Sequence, residues 1–169
     1  MSIFLILSTV AYLVFVLFII SGLFQHDEHP INTTKDTPFV SVVIAARNEE
    51  QNLPDLIQDL VNQEYPINKL EIIIVDDRST DLTPIILKEA SDNYAFINPI
   101  RVDEKSTEMT PKKHALTLGI NAAKGDVIVS TDADCRVGNL WVASMAYRVI
   151  QDDAISIGFS KVTGESFFE

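Results

Sequence analysis

At 169 residues, with 24 Asp and Glu against 13 Lys and Arg, the chain carries a formal charge of −11 and a single cysteine. That length holds one domain with its own core and is too short for two ordinary ones. The acidic balance argues against a DNA or RNA surface, which is built from clustered Lys and Arg; the lone Cys135 rules out an internal disulfide, and no Cys/His cluster has zinc-ligand spacing.

From Ser2 to Phe24 no side chain is charged, and nearly every position is Ile, Leu, Val, Phe, Ala or Tyr. A helix of that length rises roughly 35 Å, enough to cross a hydrocarbon core of about 30 Å with some tilt. The segment reads as one transmembrane helix rather than a cleaved signal peptide. Its apolar run exceeds an ordinary h-region, no Lys or Arg precedes it, and no clear small-x-small cleavage site follows. Residues 25–38 form a polar linker in which Asp27, Glu28 and Asp36 face Lys35, so the positive-inside rule does not orient the helix. His26 and His29 most simply mark this linker, with a metal role as the lesser alternative.

After Pro38 the pattern changes to alternating strands and helices. Phe39 to Ala46 is a near-continuous apolar, β-branched run, as expected for a strand covered on both faces. Leu53, Leu56, Ile57, Leu60 and Val61 recur at helical spacing, with Pro54 acceptable in the first turn. Residues 70–75 form a second strand that ends in Asp76-Asp77. Thr83 is placed to cap a helix with Pro84 at its first position, carried on by Ile85, Ile86, Leu87 and Ala90. A short strand near residues 96–102 follows, then a polar loop at 103–110 over the cleft. A helix is expected over residues 112–123, stopped by Gly125. Residues 127–131 make a fourth strand, Leu140, Trp141, Met145 and Val149 a further helix, and residues 154–160 a fifth strand. This βαβ alternation implies an α/β fold with a mostly parallel sheet and right-handed crossovers.

Four polar features fall after strands or at a helix start: Arg47 to Glu50, Asp76 to Asp81, Lys112-Lys113, and Asp132 to Asp134. In a parallel sheet all strand carboxyl ends lie along one edge, so residues far apart in sequence converge there. No GxGxxG follows a strand and no Walker pattern occurs, which argues against dinucleotide binding and P-loop hydrolysis. A diphosphate then calls for a divalent cation, since Mg²⁺ and Mn²⁺ prefer oxygen ligands and bind through few carboxylates plus phosphate oxygens. Asp132 and Asp134 fit that role, and Lys112 would add positive charge beside the phosphates. Each feature has a plainer reading as well: Asp-x-Asp pairs arise in exposed turns, Asp76-Asp77 suits a turn or cap, Arg47 to Glu50 a simple cap, and Lys112 a solvated helix face. Cys135 and His114 receive no catalytic assignment.

Taken together, Phe39-Val40-Ser41-Val42-Val43-Ile44-Ala45-Ala46-Arg47-Asn48-Glu49-Glu50, Glu71-Ile72-Ile73-Ile74-Val75-Asp76-Asp77-Arg78-Ser79-Thr80-Asp81, Lys112-x-x-Ala115-Leu116 and Thr131-Asp132-Ala133-Asp134 resemble family 2 glycosyltransferases of the GT-A fold. The order and spacing match from about Phe39 to Trp141. The resemblance implies a nucleotide-diphosphate sugar donor, with a UDP-sugar expected, and a saccharide or lipid acceptor. It implies that Ala45 to Arg47 and Asp77 contact the nucleoside, that Lys112 lies near the donor, that Asp132 approaches ribose or metal, and that Asp134 binds Mn²⁺ or Mg²⁺. The metal would stabilise the leaving diphosphate. Such donors are used in the cytosol, so a single-pass protein of the cell membrane with its catalytic domain on the cytoplasmic side is expected.

Two departures accompany the resemblance. Lys113 and His114 stand where the family often has small residues. Family members also continue with an acceptor-binding half that carries the catalytic base, so residues 39–169 are expected to be a donor-binding half, C-terminally incomplete. An inverting transfer needs a base within hydrogen-bond reach of the acceptor hydroxyl. Glu165 and Glu169 are the late carboxylates, neither in a matching motif, and the catalytic residue is left unassigned. Two other classes compete. A signalling receiver domain would use Asp76-Asp77 to bind Mg²⁺, but it wants that pair on its first strand, and here a whole βα unit precedes it. A non-catalytic membrane protein could retain the fold for nucleotide binding alone.

Overall fold

The computed structural model describes residues 2–24, 37–152 and 155–158. The chain divides into two compact units, residues 1–30 and 31–169, each described by itself.

The first unit is helix α1 (Ser2–Phe24), apolar around its whole circumference. Over Ile3–Gly22 its mean hydropathy is 3.0, and by length and composition it suffices to cross a membrane. Three of its hydroxyls are satisfied within the helix: Ser8 Oγ and Thr9 Oγ1 donate to the Leu5 carbonyl at 2.9 Å, and Ser21 Oγ donates to the Phe18 carbonyl at 2.8 Å. Hydroxyls satisfied inside the helix remove a desolvation cost that each would otherwise carry into an apolar solvent.

In the second unit, β1 (Val40–Ala46), β2 (Leu70–Asp76), β3 (Ile97–Arg101) and β4 (Val127–Ser130) form a parallel sheet in the order β3-β2-β1-β4. The helices are α2 (Leu53–Val61), α3 (Thr83–Asn93), α4 (Pro111–Ala122) and α5 (Trp141–Asp152). The two central strands are the most apolar runs, and both are buried along nearly their full length, as continuous β-branched sequence requires.

Alternation along the strands sends side chains into two cores. Val40, Val42, Ile44, Ile72 and Ile74 pack with Leu53, Leu56 and Leu60 of α2, Leu87 of α3 and Val142 of α5. On the opposite face Val43, Ile73 and Val75 pack with Ala115 of α4. Each fully buried Leu or Ile contributes about 1.5–3 kcal/mol, so the sheet and its helices form one cooperative body. Helix α4 comes so close to the sheet that a Cβ on Gly119 would sit 2.5 Å from Val43 Cγ1.

Three local expectations are corrected. Thr83 does not cap α3; it lies inside the helix after Leu82, and its Oγ1 instead accepts the Glu49 amide at 2.9 Å. Gly125 does not end α4, which is closed by an extended Ala123; a Cβ on Gly125 would lie 2.5 Å from the Ser41 nitrogen, so the glycine is there for close approach. The expected fifth strand is not formed over residues 155–158, and residues 154 and 159–160 of that span lie outside the described residues. Most of the linker, including His26, His29 and Pro30, and the late acids Glu165 and Glu169 also lie outside them.

Candidate functional site

Strands β1 and β2 end level with one another, Ala46 beside Asp76, so the loops that follow leave the sheet side by side. These loops are stitched together. Thr80 N donates to Asn48 Oδ1 at 2.9 Å, Asn48 N to Ser79 Oγ at 2.9 Å, Glu50 N to Asp81 Oδ2 at 3.1 Å, and Leu82 N to Glu50 Oε2 at 2.9 Å. Backbone amides at the starts of α2 and α3 thereby find partners across the loops. Partial desolvation pushes the Asp81 carboxyl up, but hydrogen bonds from the Thr83 hydroxyl and amide and the Glu50 amide outweigh it and hold the group below its ordinary value. Asn48 and Arg78 both take the left-handed conformation, at φ 55° and 56°. Such non-glycine residues store strain of about 1–3 kcal/mol apiece and persist where surrounding bonds impose them.

The adjacent acids Asp76 and Asp77 have separate jobs. Asp76 is buried, taking the Ser79 amide at 2.8 Å on Oδ1 and Arg101 Nη1 at 2.7 Å on Oδ2, and so shapes the turn. Asp77 lines a cleft of about 260 Å³ at the carboxyl end of the sheet. Its Oδ1 is gripped by Arg78 through Nε at 2.9 Å and Nη2 at 2.5 Å, while Oδ2 meets Arg47 Nη1 at 3.4 Å. Asp77 is as buried as Asp76; its Oδ1 is committed to Arg78, and its Oδ2 holds the longer contact.

Across the cleft stand Lys112, in the first turn of α4, and Asp132 and Asp134, in the segment after β4. Lys112 Nζ lies 2.7 Å from Asp132 Oδ1, with both side chains more than half exposed. Ala133, between the acids, is buried in the core beneath, which turns its two neighbours outward. The structure thus gathers Ala45, Arg47, Asp77, Lys112, Asp132 and Asp134, drawn from four separate motifs, around one cleft. Lys113 and His114 do not line it. Glu49 also lines it, a residue inside the first motif that had not been singled out; Arg78, likewise inside a quoted motif, acts on Asp77.

The donor set is compatible with a hard divalent cation. Two oxygen-bearing side chains open to solvent suit Mg²⁺ or Mn²⁺, which commonly bind one or two carboxylates and complete their shells with phosphate oxygens and water. Among the described residues no group of three or more His, Cys, Asp or Glu side chains gathers to hold a metal by itself, so a cation here would share its shell with a ligand.

The family model for glycosyl transferase family 2 matches residues 41–169. The chain belongs to glycosyl transferase family 2. Among its relatives, the beta-monoglucosyldiacylglycerol synthase of Nostoc sp. is 38% identical over 102 residues, covering 60% of this chain and 21% of that protein. The 4,4'-diaponeurosporenoate glycosyltransferase of Staphylococcus haemolyticus is 33% identical over 103 residues, covering 61% of this chain and 26% of that protein. In fold the chain is similar to the mannosyltransferase PcManGT of Pyrobaculum calidifontis, solved in complex with GDP-Man and Mn²⁺, at a TM-score of 0.59 and 25% identity over 72% of this chain and 36% of that one. The chain spans about a fifth to a quarter of the length of these two curated relatives. The GT-A architecture expected from the motifs is present, and the receiver-domain reading falls with it.

In this glycosyl transferase family 2 unit the segment carrying the Asp-x-Asp is fastened from the side by α2. Arg136 meets Asp59 through Nε at 2.6 Å and Nη2 at 2.8 Å, and Asp55 through Nη1 at 2.9 Å, while the Val137 amide donates to Asp59 Oδ2 at 3.1 Å. Further along, Gln63 Nε2 donates to the Gly138 carbonyl at 2.8 Å, and Asn139 bonds the Glu64 carboxylate. Sequence reasoning missed these residues. Asp55 and Asp59 are spaced as neighbours on a helix face, but nothing local says that Arg136 lies against them.

Proposed function

We propose that this unit binds a nucleotide-diphosphate sugar together with Mn²⁺ or Mg²⁺, and that it serves transfer of the sugar to the hydroxyl of a saccharide or lipid acceptor. The convergence of Arg47, Asp77, Lys112, Asp132 and Asp134 on one cleft carries this reading. The nucleoside end of the donor lies along Ala45, Arg47 and Asp77. Lys112 faces the diphosphate, with Asp132 and Asp134 as the carboxylates that hold the cation. When bound, that cation supplies charge neutralisation of the departing diphosphate. Arg47 and Lys112 add two positively charged side chains to the cleft lining. A UDP-sugar is the favoured donor, and the similar mannosyltransferase, solved with GDP-Man and Mn²⁺, makes GDP-mannose the alternative to test. A lipid acceptor accords with the relative named for monoglucosyldiacylglycerol. Helix α1 anchors the unit in the cell membrane, with the cleft on the cytosolic side where such donors occur.

Calorimetry on the full chain in detergent tests the reading, with UDP-glucose, UDP-GlcNAc and GDP-mannose titrated with and without Mn²⁺. One of these donors binds in a metal-dependent manner, and Asp134→Ala removes the metal-dependent part. Equal binding by wild type and variant would sink the site assignment. Release of nucleoside diphosphate from the donor on addition of diacylglycerol then reports whether transfer occurs.

A further inference from the structure

The segment between β4 and α5 carries both candidate metal-binding acids and contains no helix or strand over residues 131–140. Within it, the one backbone hydrogen bond beside the acids is that of Cys135 N to the Asp132 carbonyl, at 3.2 Å. Asp132 and Asp134 are exposed, so packing does not fix their orientation. Lys112 pairs with Asp132 directly, and Gln63 and Glu64 hold residues 138–139 further along; between them the segment is restrained by Ala133 in the core beneath and, two residues past Asp134, by the grip of α2 on Arg136.

We propose that Arg136, clamped by Asp55 and Asp59, is a positioning residue that sets where Asp132 and Asp134 stand relative to the nucleoside end of the cleft. The grip is directional. The guanidinium meets Asp59 as a fork, two parallel N–H···O bonds that fix orientation as well as distance, and reaches Asp55 with its remaining nitrogen. Asp59 also accepts the Val137 amide, so side chain and backbone of the segment are held by one carboxylate.

The helix that provides the grip begins at the loop that carries Arg47 and Glu49. Helix α2 therefore links the loop that carries Arg47 and Glu49 to the segment that carries Asp132 and Asp134. A diphosphate between them has a fixed length, so this spacing decides whether nucleoside and cation can be engaged at once. Small misplacements of positioned groups cost far more in function than in stability.

This inference rests on the proposed donor site and predicts an effect confined to the metal-coupled part of binding. Arg136 is an exposed residue, and exposed ion pairs add little to global stability. Residues that orient metal ligands from behind change metal affinity by ~10–100-fold when removed.

The test uses the full chain in detergent, with UDP and GDP as probes, Mn²⁺ binding followed by electron paramagnetic resonance, nucleotide binding by calorimetry, and thermal unfolding as the control for folding. Arg136→Ala is expected to weaken Mn²⁺-dependent nucleotide binding ~10-fold or more, to leave binding without metal unchanged, and to unfold near the wild-type temperature. Arg136→Lys, which keeps the charge and loses the fork, falls between. Asp59→Asn reproduces the loss, and combining it with Arg136→Ala adds little, because both break the same contact. Wild-type-like metal-dependent binding in folded Arg136→Ala overturns the inference while leaving the donor site intact. Equal weakening with and without metal also overturns it, because a general loosening of the cleft is then responsible. Absence of nucleotide binding in the wild type instead overturns the donor-site reading itself.

Discussion

Ser41 on β1 donates a 2.5 Å hydrogen bond to Glu71 Oε1 on the adjacent strand β2, and the two residues are paired in register. Both are buried. The same carboxylate oxygen accepts the Lys124 amide at 2.6 Å, and Ser41 Oγ in turn accepts the Gly125 amide at 2.7 Å. A buried carboxylate is tolerated because hydrogen bonds replace its water, and this one ties the turn after α4 to both central strands. It lies near the amino-terminal ends of β1 and β2, away from the cleft.

Glu71→Ala is therefore expected to destabilise the α/β unit by about 1–3 kcal/mol, since Ser41 and the Lys124 amide lose a buried acceptor. Glu71→Gln, whose amide oxygen still accepts, costs less. Urea unfolding followed by tryptophan fluorescence measures both. Nucleotide binding per folded molecule stays unchanged, and a selective loss of binding would contradict the separation between this network and the cleft.

Asp76 and Asp77 are neighbours with opposite sensitivities. Asp76→Ala leaves the Ser79 amide and Arg101 without their carboxylate, and costs about 1–3 kcal/mol of stability. Asp77→Ala removes a carboxylate that lines the cleft and leaves Arg78 without its partner; besides costing some stability it weakens nucleotide binding by ~10-fold or more, in line with losing a hydrogen bond to a charged group. Measuring unfolding midpoint and nucleotide affinity for both variants decides the matter. If Asp76→Ala abolished binding at full stability, the division of roles would be wrong.

The hydrogen bond from Arg136 holds the Asp59 carboxyl below its ordinary value; desolvation opposes the shift, while the Val137 amide and the guanidinium charge reinforce it. A carboxyl whose pKa is lower in the folded than in the unfolded chain adds stability above the unfolded value, and this is lost as pH falls through the folded one. The Asp59→Asn variant should thus be slightly less stable than wild type at pH 7, within the small contribution of a half-exposed pair, with the gap narrowing below about pH 4. Urea midpoints of both proteins at pH 7, 5 and 3.5 report it. A gap that stays constant down to pH 3.5 would show that the ion pair is not its origin.

For α1 the expectation is physical insertion. Leu13 lies near the middle of the Ile3–Gly22 span, where an arginine costs about 2.5–3.5 kcal/mol of insertion free energy. Leu13→Arg should shift the chain from the carbonate-resistant membrane fraction toward the soluble fraction, while Leu13→Ile stays with the membrane. Carbonate extraction of the wild type into the soluble fraction would remove the anchor.

Strands β1 and β2 were readable because buried parallel strands demand continuous apolar, β-branched residues, and few other structures do. Helix α2 was readable because Leu53, Leu56, Ile57 and Leu60 repeat at its period, and all four are buried. The misread positions were those whose geometry depends on a distant partner. Thr83 looked like a cap because Thr before Pro usually is one, yet its hydroxyl is taken by the Glu49 amide. Gly125 looked like a helix terminus, yet it is required by the nearness of Ser41.

The candidate site divides in the same way. Residue type and order along the chain determined that carboxylates and cations would collect at the carboxyl edge of a parallel sheet, because right-handed βαβ connections bring every strand end to one side. Tertiary structure alone decided which acid of the Asp76-Asp77 pair faces the cleft and that Arg136 is held by Asp55 and Asp59. Hydrogen-bond geometry between segments dozens of residues apart has no local signature. It exists only once the apolar strands and helices have packed and brought those polar groups within about 3 Å of one another.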